Sequence, residues 1–150
     1  MLSDADLAWT AGILDGDGTI TLSVNGSTGS GFRKTVICVD NTDREILEEL
    51  RRLHGGGLVA KQRYREHHRQ AWSWRLYGAD NIVELLRQIL PYMRCQVKVE
   101  RARMLVEEYK AITRRNGRYT SQARAAKIDF EIRFMAIGPG RGKQCRPVVA

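Results

Sequence analysis

The 150-residue chain has no apolar run long enough to cross a bilayer, so no membrane span is predicted. It has no legible secretory leader either. Met1-Leu2-Ser3-Asp4 opens with an acid rather than a basic region and leads straight into a helical pattern. Cysteine is scarce and scattered: Cys38, Cys95 and Cys145 are odd in number and far apart. They form neither a disulfide framework nor a zinc cluster, and each reads as a plain thiol in a reducing interior. Acidic charge is in deficit, with 17 Asp and Glu against 25 Lys and Arg, for a net +8. That imbalance favours a polyanionic partner. An acidic membrane surface fits less well, because the basic residues do not collect beside an apolar helix face.

What is present is organised around Leu7 to Thr19, LAWTAGILDGDGT. It starts as a helix of small apolar residues and ends in two carboxylates, Asp15 and Asp17, interleaved with Gly16 and Gly18. Free carbonyls give a helix C-terminus a partial negative charge, so acids there are unfavourable unless a cation joins them. Mg²⁺ suits such a place, since it takes one or two carboxylates, keeps several waters and leaves room for substrate phosphate. An ordinary Asp-Gly turn is the simpler reading of the same four residues. An EF-hand is excluded, because the sixth position would be Ile20 and the twelfth Gly26. Gly12 and Gly16 lie four apart on one helical face, which suits close helix packing.

The remaining pattern predicts an α+β chain. Ser3 caps helix 1, which runs from about Asp4 to Asp15. Strand 1, Thr19 to Asn25, alternates Ile20, Leu22 and Val24 with Thr19, Thr21, Ser23 and Asn25. Strand 2 runs from Phe32 to about Val39, with Lys34, Val36 and Cys38 opposite Ile37 and Val39. Thr42 and Glu45 have capping-box spacing for helix 2, which Gly55-Gly56-Gly57 ends. Strand 3 is placed at Leu58 to Tyr64, a basic turn at Arg65 to Arg69, and strand 4 at Ala71 to Tyr77. Trp72, Trp74 and Leu76 then share one face, Ser73 and Arg75 the other. Helix 3 covers Asp80 to Leu90, a longer helix Tyr92 to about Thr113, and a last helix Thr120 to Ile137. Residues 1–137 are read as one domain, and 138–150 as a basic, flexible tail.

Thr10-Ala11-Gly12-Ile13-Leu14-Asp15-Gly16-Asp17-Gly18 resembles the LAGLIDADG signature of homing endonucleases, with Thr10 in place of the usual first Leu. Val39-Asp40-Asn41-Thr42-Asp43, Gly55-Gly56-Gly57 and Leu90-Pro91-Tyr92 resemble family segments in the same order. The resemblance covers roughly residues 5 to 113. The first motif has no second copy in the chain. The resemblance implies the LAGLIDADG fold: an αββαββα core, a curved antiparallel four-stranded sheet with helices on one face, and here an added C-terminal helix. It implies a site-specific double-strand DNA endonuclease that hydrolyses one phosphodiester per strand. It also implies Mg²⁺, with Mn²⁺ as a possible substitute, and no small-molecule substrate. The alternative is a cleavage-inactive relative acting as an RNA maturase or DNA-binding regulator. The expected setting is intracellular: cytoplasmic in a bacterium or archaeon, organellar if encoded in an organelle intron.

Residue by residue, the resemblance makes Asp17 the metal ligand, with the Gly16 carbonyl beside it, while Asp15 holds the helix end. One motif supplies half a site, so a homodimer is implied, paired through helix 1 at Ala11, Gly12 and Asp15 on a near-palindromic target. Asn41 orders water beside the metal or merely caps helix 2. Lys98 is the candidate basic catalytic residue, with Gln96 as its rival, and Arg44 is the nearest match to a second basic position. The sheet face opposite the apolar one would read the major groove, where donors and acceptors distinguish all four base pairs. Its candidates are Thr21, Ser23, Asn25, Lys34, Lys61, Gln62, Arg63, Ser73 and Arg75. His67 and His68 are placed against phosphate, and His54 at a helix end.

Overall fold

The computed structural model describes residues 1–24 and 31–138. Its elements, in order, are α1 (Asp4–Asp17), β1 (Gly18–Ser23), β2 (Lys34–Asn41), α2 (Arg44–His54), β3 (Gly57–Ala60), β4 (Trp72–Tyr77) and α3 (Ala79–Ile89). A 3₁₀ turn (Leu90–Tyr92) leads to α4 (Gln96–Met104), which passes through a π-helical turn (Leu105–Tyr109) into α5 (Lys110–Ile112); α6 (Ser121–Ala136) ends the described chain. No helix among the described residues is long and apolar enough to cross a membrane.

The four strands form one antiparallel sheet in the order β1-β2-β4-β3. Pairing of Ile20 with Ile37, and of Ile37 with Leu76, brings the apolar positions of three strands onto one face. Ile20, Leu22, Ile37, Val39, Trp74 and Leu76 are buried there beneath Leu47 and Leu50 of α2 and Ile82, Leu86 and Ile89 of α3. Burying one such aliphatic side chain contributes about 1.5–3 kcal/mol, so a one-residue slip that turned this set to solvent would cost more than a domain's net stability. The register is therefore strongly held, and the polar positions of the strands fall on the opposite face. Phe130 and Phe134 of α6 are also fully buried and extend the core beyond the four-strand unit.

Two glycines are demanded by close approach. Gly18 has ordinary extended backbone, yet a Cβ there would stand 2.6 Å from Leu14 Cα. Gly56 has a φ of +88°, and a Cβ there would stand 2.6 Å from the Arg75 carbonyl. The first lets β1 leave α1 at once; the second lets the loop after α2 lie against β4. Trp74 Nε1 donates to the Gly55 carbonyl at 2.8 Å and pins the same loop.

Several boundaries differ from the sequence expectation. Asp43, not Thr42, caps α2, with its carboxylate accepting from the Glu45 N–H. β3 stops at Ala60, and Gln62 and Arg63 lie in an exposed loop rather than a strand. The pairing is carried one residue further by the Lys61 N–H on the Ala71 carbonyl. The long helix begins at Gln96 rather than Tyr92, because Met93 is extended and the next N–H groups are taken by Asp15. α1 runs to Asp17, and Thr120 caps α6 through the Ala123 N–H. Asn25, Cys145 and nearly all of the expected tail lie outside the described residues.

Candidate metal-binding helix end and nucleic-acid interface

α1 has acids in its first turn and no base in its last. A cation from another element offsets its C-terminal carbonyls. The Lys98 ammonium, carried by α4, donates to the Leu14 and Asp15 carbonyls at 2.7 Å each and lies 3.4 Å from the Gly16 carbonyl. Asp15 returns the contact: its carboxylate accepts the Arg94 N–H at 2.6 Å and the Cys95 N–H at 3.2 Å, just ahead of α4. The end of one helix is thus tied to the start of the other by opposite charges, each set against the matching helix pole. Gln96 takes no part, since it is exposed and donates to Glu100. Of the two rivals, Lys98 is the one at the helix end.

Asp17 stands exposed at that end. Its carboxylate accepts one hydrogen bond from Asn41 Nδ2 at 3.1 Å, while Asn41 Oδ1 accepts the Asp43 N–H at 2.8 Å. Asn41 therefore contacts the acid and steadies the turn ahead of α2, while the cap of that helix is Asp43. Arg44 is not at the acid; it stacks 4.5 Å over the Trp72 ring and pairs with Glu48.

Among the described residues, no three His, Cys, Asp or Glu side chains gather to hold a metal. One exposed carboxylate with a backbone carbonyl beside it is a hard-oxygen donor set of the kind Mg²⁺ accepts, provided other ligands complete it. By themselves these two oxygens make a partial ligand set for such a cation.

Beside Asp17, α1 exposes Ala5, Ala8, Trp9, Gly12 and Gly16. A Cβ on Gly12 or Gly16 would meet nothing within 4 Å. This is an open face of small residues with one aromatic ring. Ala11 is not on it. It is fully buried in the core, as are Thr10 and Leu14, so it is not presented to a second chain. Asp15 is half-buried and already engaged within its own chain. Thr10 is buried but makes polar contacts. Its hydroxyl donates to the Asp6 carbonyl and meets His54 Nε2, both at 2.8 Å, so His54 ties α2 to α1. Burial pushes the His54 imidazole below its ordinary value.

The polar face of the sheet carries Thr21, Ser23, Lys34 and Arg75, as strand parity predicted. Ser73 lies on it but is fully buried, so it supports rather than reads: its hydroxyl accepts Arg75 Nε at 3.2 Å. Asp40 was missed among the candidates, although it has the parity of Lys34, Val36 and Cys38. It pairs with Lys61. Burial alone would raise the Asp40 carboxyl, but hydrogen bonds from Lys61 and Ser73 outweigh it and hold it below the usual carboxylate value. Lys61, just past β3, thus joins Asp40, Ser73 and Arg75 in one chain of contacts that runs across β2 and β4. His67 and His68 touch edge to face in the exposed loop between β3 and β4.

Residues 4–90 match the family model of the LAGLIDADG-like domain. No curated protein matches the chain in sequence. Among solved structures, the archaeal intron-encoded homing endonuclease I-Vdi141I complexed with DNA has a TM-score of 0.64 at 12% identity, over 97% of this chain and 91% of that one. The homing endonuclease I-CvuI, in complex with its target in the presence of Ca, has a TM-score of 0.60 at 16% identity, over 93% of this chain and 86% of that one. The homing endonuclease I-TnaI has a TM-score of 0.58 at 16% identity, over 90% of this chain and 89% of that one. At such identities the likeness is one of fold. The family model spans more than half of the chain and begins on the helix that carries Asp17; the chain belongs to the LAGLIDADG family and has its homing-endonuclease fold.

Proposed function

We propose that this protein is a homodimeric, divalent-metal-dependent DNA endonuclease that cuts both strands of a near-palindromic site. The observation that carries the reading is Asp17: an exposed carboxylate at the end of a helix whose neighbouring face is small, open and suited to pairing with a second copy. Pairing on that face brings two Asp17 carboxylates together, one for each strand. Solved relatives by fold support the substrate class, since I-Vdi141I was determined with DNA and I-CvuI with its target. I-CvuI has also been determined with Mg and with Ca, in keeping with divalent metal use here.

A divalent cation, when bound, neutralises phosphate charge and eases deprotonation of the attacking water. The chain's own groups do the rest. Asp17 and the Gly16 carbonyl offer the oxygen ligands. Asn41 fixes the Asp17 carboxylate in one orientation. Lys98 holds the carbonyl end of α1 and sets a positive charge beside the place where the scissile phosphate would lie. Thr21, Ser23, Lys34, Lys61 and Arg75 face the major groove and select the site. Retention of Asp17 favours cutting over a binding-only role, and the reading implies an intracellular protein.

Selecting cleaved sites from a randomised duplex library with Mg²⁺ tests catalysis, specificity and symmetry together. The expected product is a single near-palindromic consensus, cut on both strands. Binding without any cutting, in Mg²⁺ or Mn²⁺, would return the protein to the DNA-binding regulators or RNA maturases.

A further inference from the structure

A second charged feature lies away from Asp17. At the start of β2, a cavity of about 400 Å³ opens between Arg33, Lys34 and the segment after α5 that carries Arg114 and Arg115; Tyr109 and Lys127 line its inner wall. No Asp or Glu is among the described residues that line it. Lys127, on α6, is only 1% exposed. Its ammonium has three N–H donors, yet within the described chain its one hydrogen-bond acceptor is Thr113 Oγ1 at 2.6 Å, and it otherwise lies 4.1 Å over the Tyr109 ring. Glu131, whose negative charge acts on Lys127, is committed to Arg33, whose N–H and guanidinium it accepts at 2.9 and 3.3 Å. A buried charge with donors to spare is costly unless something completes it.

We propose that this cavity is a phosphate-binding pocket in which Lys127, Lys34, Arg114 and Arg115 hold a phosphate oxyanion. Phosphate oxygens supply the acceptors that Lys127 lacks, and the rim arginines add planar donor forks suited to them. The pocket begins where Lys34 ends the polar face of the sheet, so the backbone of a duplex lying on that face would run past its mouth. The duplex source rests on the proposed DNA reading; the pocket's chemistry does not. A free phosphate or pyrophosphate group offers the same oxygens.

The test uses full-length protein and Lys127→Met, with Arg114→Ala/Arg115→Ala as a second variant at exposed positions, each checked for a native thermal unfolding transition. One arm titrates inorganic phosphate and pyrophosphate, read by ³¹P line broadening. The other compares binding of a duplex that ends at the sheet with one lengthened by several base pairs at each end. A gain of about tenfold on lengthening that both variants abolish supports the pocket with the duplex as its source. Pyrophosphate binding lost in both variants, with no gain on lengthening, supports it with a free phosphate. No pyrophosphate binding and no variant-sensitive gain overturns it. If the wild type binds no duplex at all, the endonuclease reading fails while the pyrophosphate arm still decides the pocket.

Discussion

Asn41 reaches across 24 residues of chain to donate a hydrogen bond to the Asp17 carboxylate at 3.1 Å. The bond joins the end of β2 to the end of α1 and leaves the rest of the Asp17 carboxylate facing outward. Its geometry is held by short-range features on both sides: the Asp43 N–H fixes Asn41, and the tight Gly18 junction fixes Asp17.

Lys98 is the first test of that arrangement. Lys98→Met removes the donor that serves the Leu14 and Asp15 carbonyls. The expected loss of stability is about 1–3 kcal/mol, because these carbonyls at the helix end would lose a charged partner. Cutting should fall further than duplex binding does. Thermal unfolding and a cleavage assay on the same preparation check both. An unchanged melting temperature would show that water replaces the ammonium without cost.

Gly12 separates the monomer from the dimer. A side chain there meets nothing within 4 Å in the single chain. Gly12→Ala should therefore raise monomer stability by about 0.5–1 kcal/mol through helix propensity alone. Gly12→Leu should fold equally well yet sediment as a monomer and fail to cut. A Gly12→Leu protein that stays dimeric would place the pairing surface elsewhere.

Arg75 tests the reading face. Its Nε donates to Ser73, and a hydrogen bond with Tyr77 raises its guanidinium above the ordinary value, so its position is set before DNA arrives. Arg75→Ala should relax preference at one symmetric pair of base positions by about 1–3 kcal/mol. Ser73→Ala should give a weaker loss at the same positions, since Ser73 is buried and acts through Arg75. A target profile unchanged in both would mean that this face does not read the site.

Lys127 tests whether a buried charge is kept at the expense of stability. Burial lowers its amine from 10.5 to about 8. Between about pH 8 and 10.5 the unfolded chain then binds more protons than the folded one, so stability should rise with pH across that window. Below about pH 8 the full penalty is present, on the order of 3 kcal/mol. Lys127→Met should be as stable as the wild type or more so at pH 7. Denaturant unfolding of the two proteins across this range checks the difference. A Lys127→Met protein markedly less stable at pH 7 would show that the contacts with Thr113 and Tyr109 outweigh the cost of burial.

Much of this was legible wherever the sequence alternates cleanly. Ile20 and Leu22, then Trp74 and Leu76, announce the buried face of their strands, and Thr21 and Arg75 follow on the other by parity alone. Helix facing was harder to read. The small residues of α1 look alike in sequence, and only packing separates Ala11 in the core from Gly12 at the surface. β3 misled for a related reason: Lys61, Gln62 and Arg63 have no apolar partner to hold them to the sheet, so the strand stops at Ala60. Long-range pairs such as Lys98 with Leu14 and His54 with Thr10 have no local signal at all. Ser73 shows the limit of parity, which assigns a face but says nothing of what covers it.

The most direct measurement compares wild type with Asp17→Asn on a selected target in Mg²⁺, scoring binding and strand cleavage in the same tubes. The exchange keeps shape and removes the charge. The account predicts that the variant binds the duplex at near-normal affinity and cuts neither strand. Cutting at the wild-type rate by Asp17→Asn would contradict it.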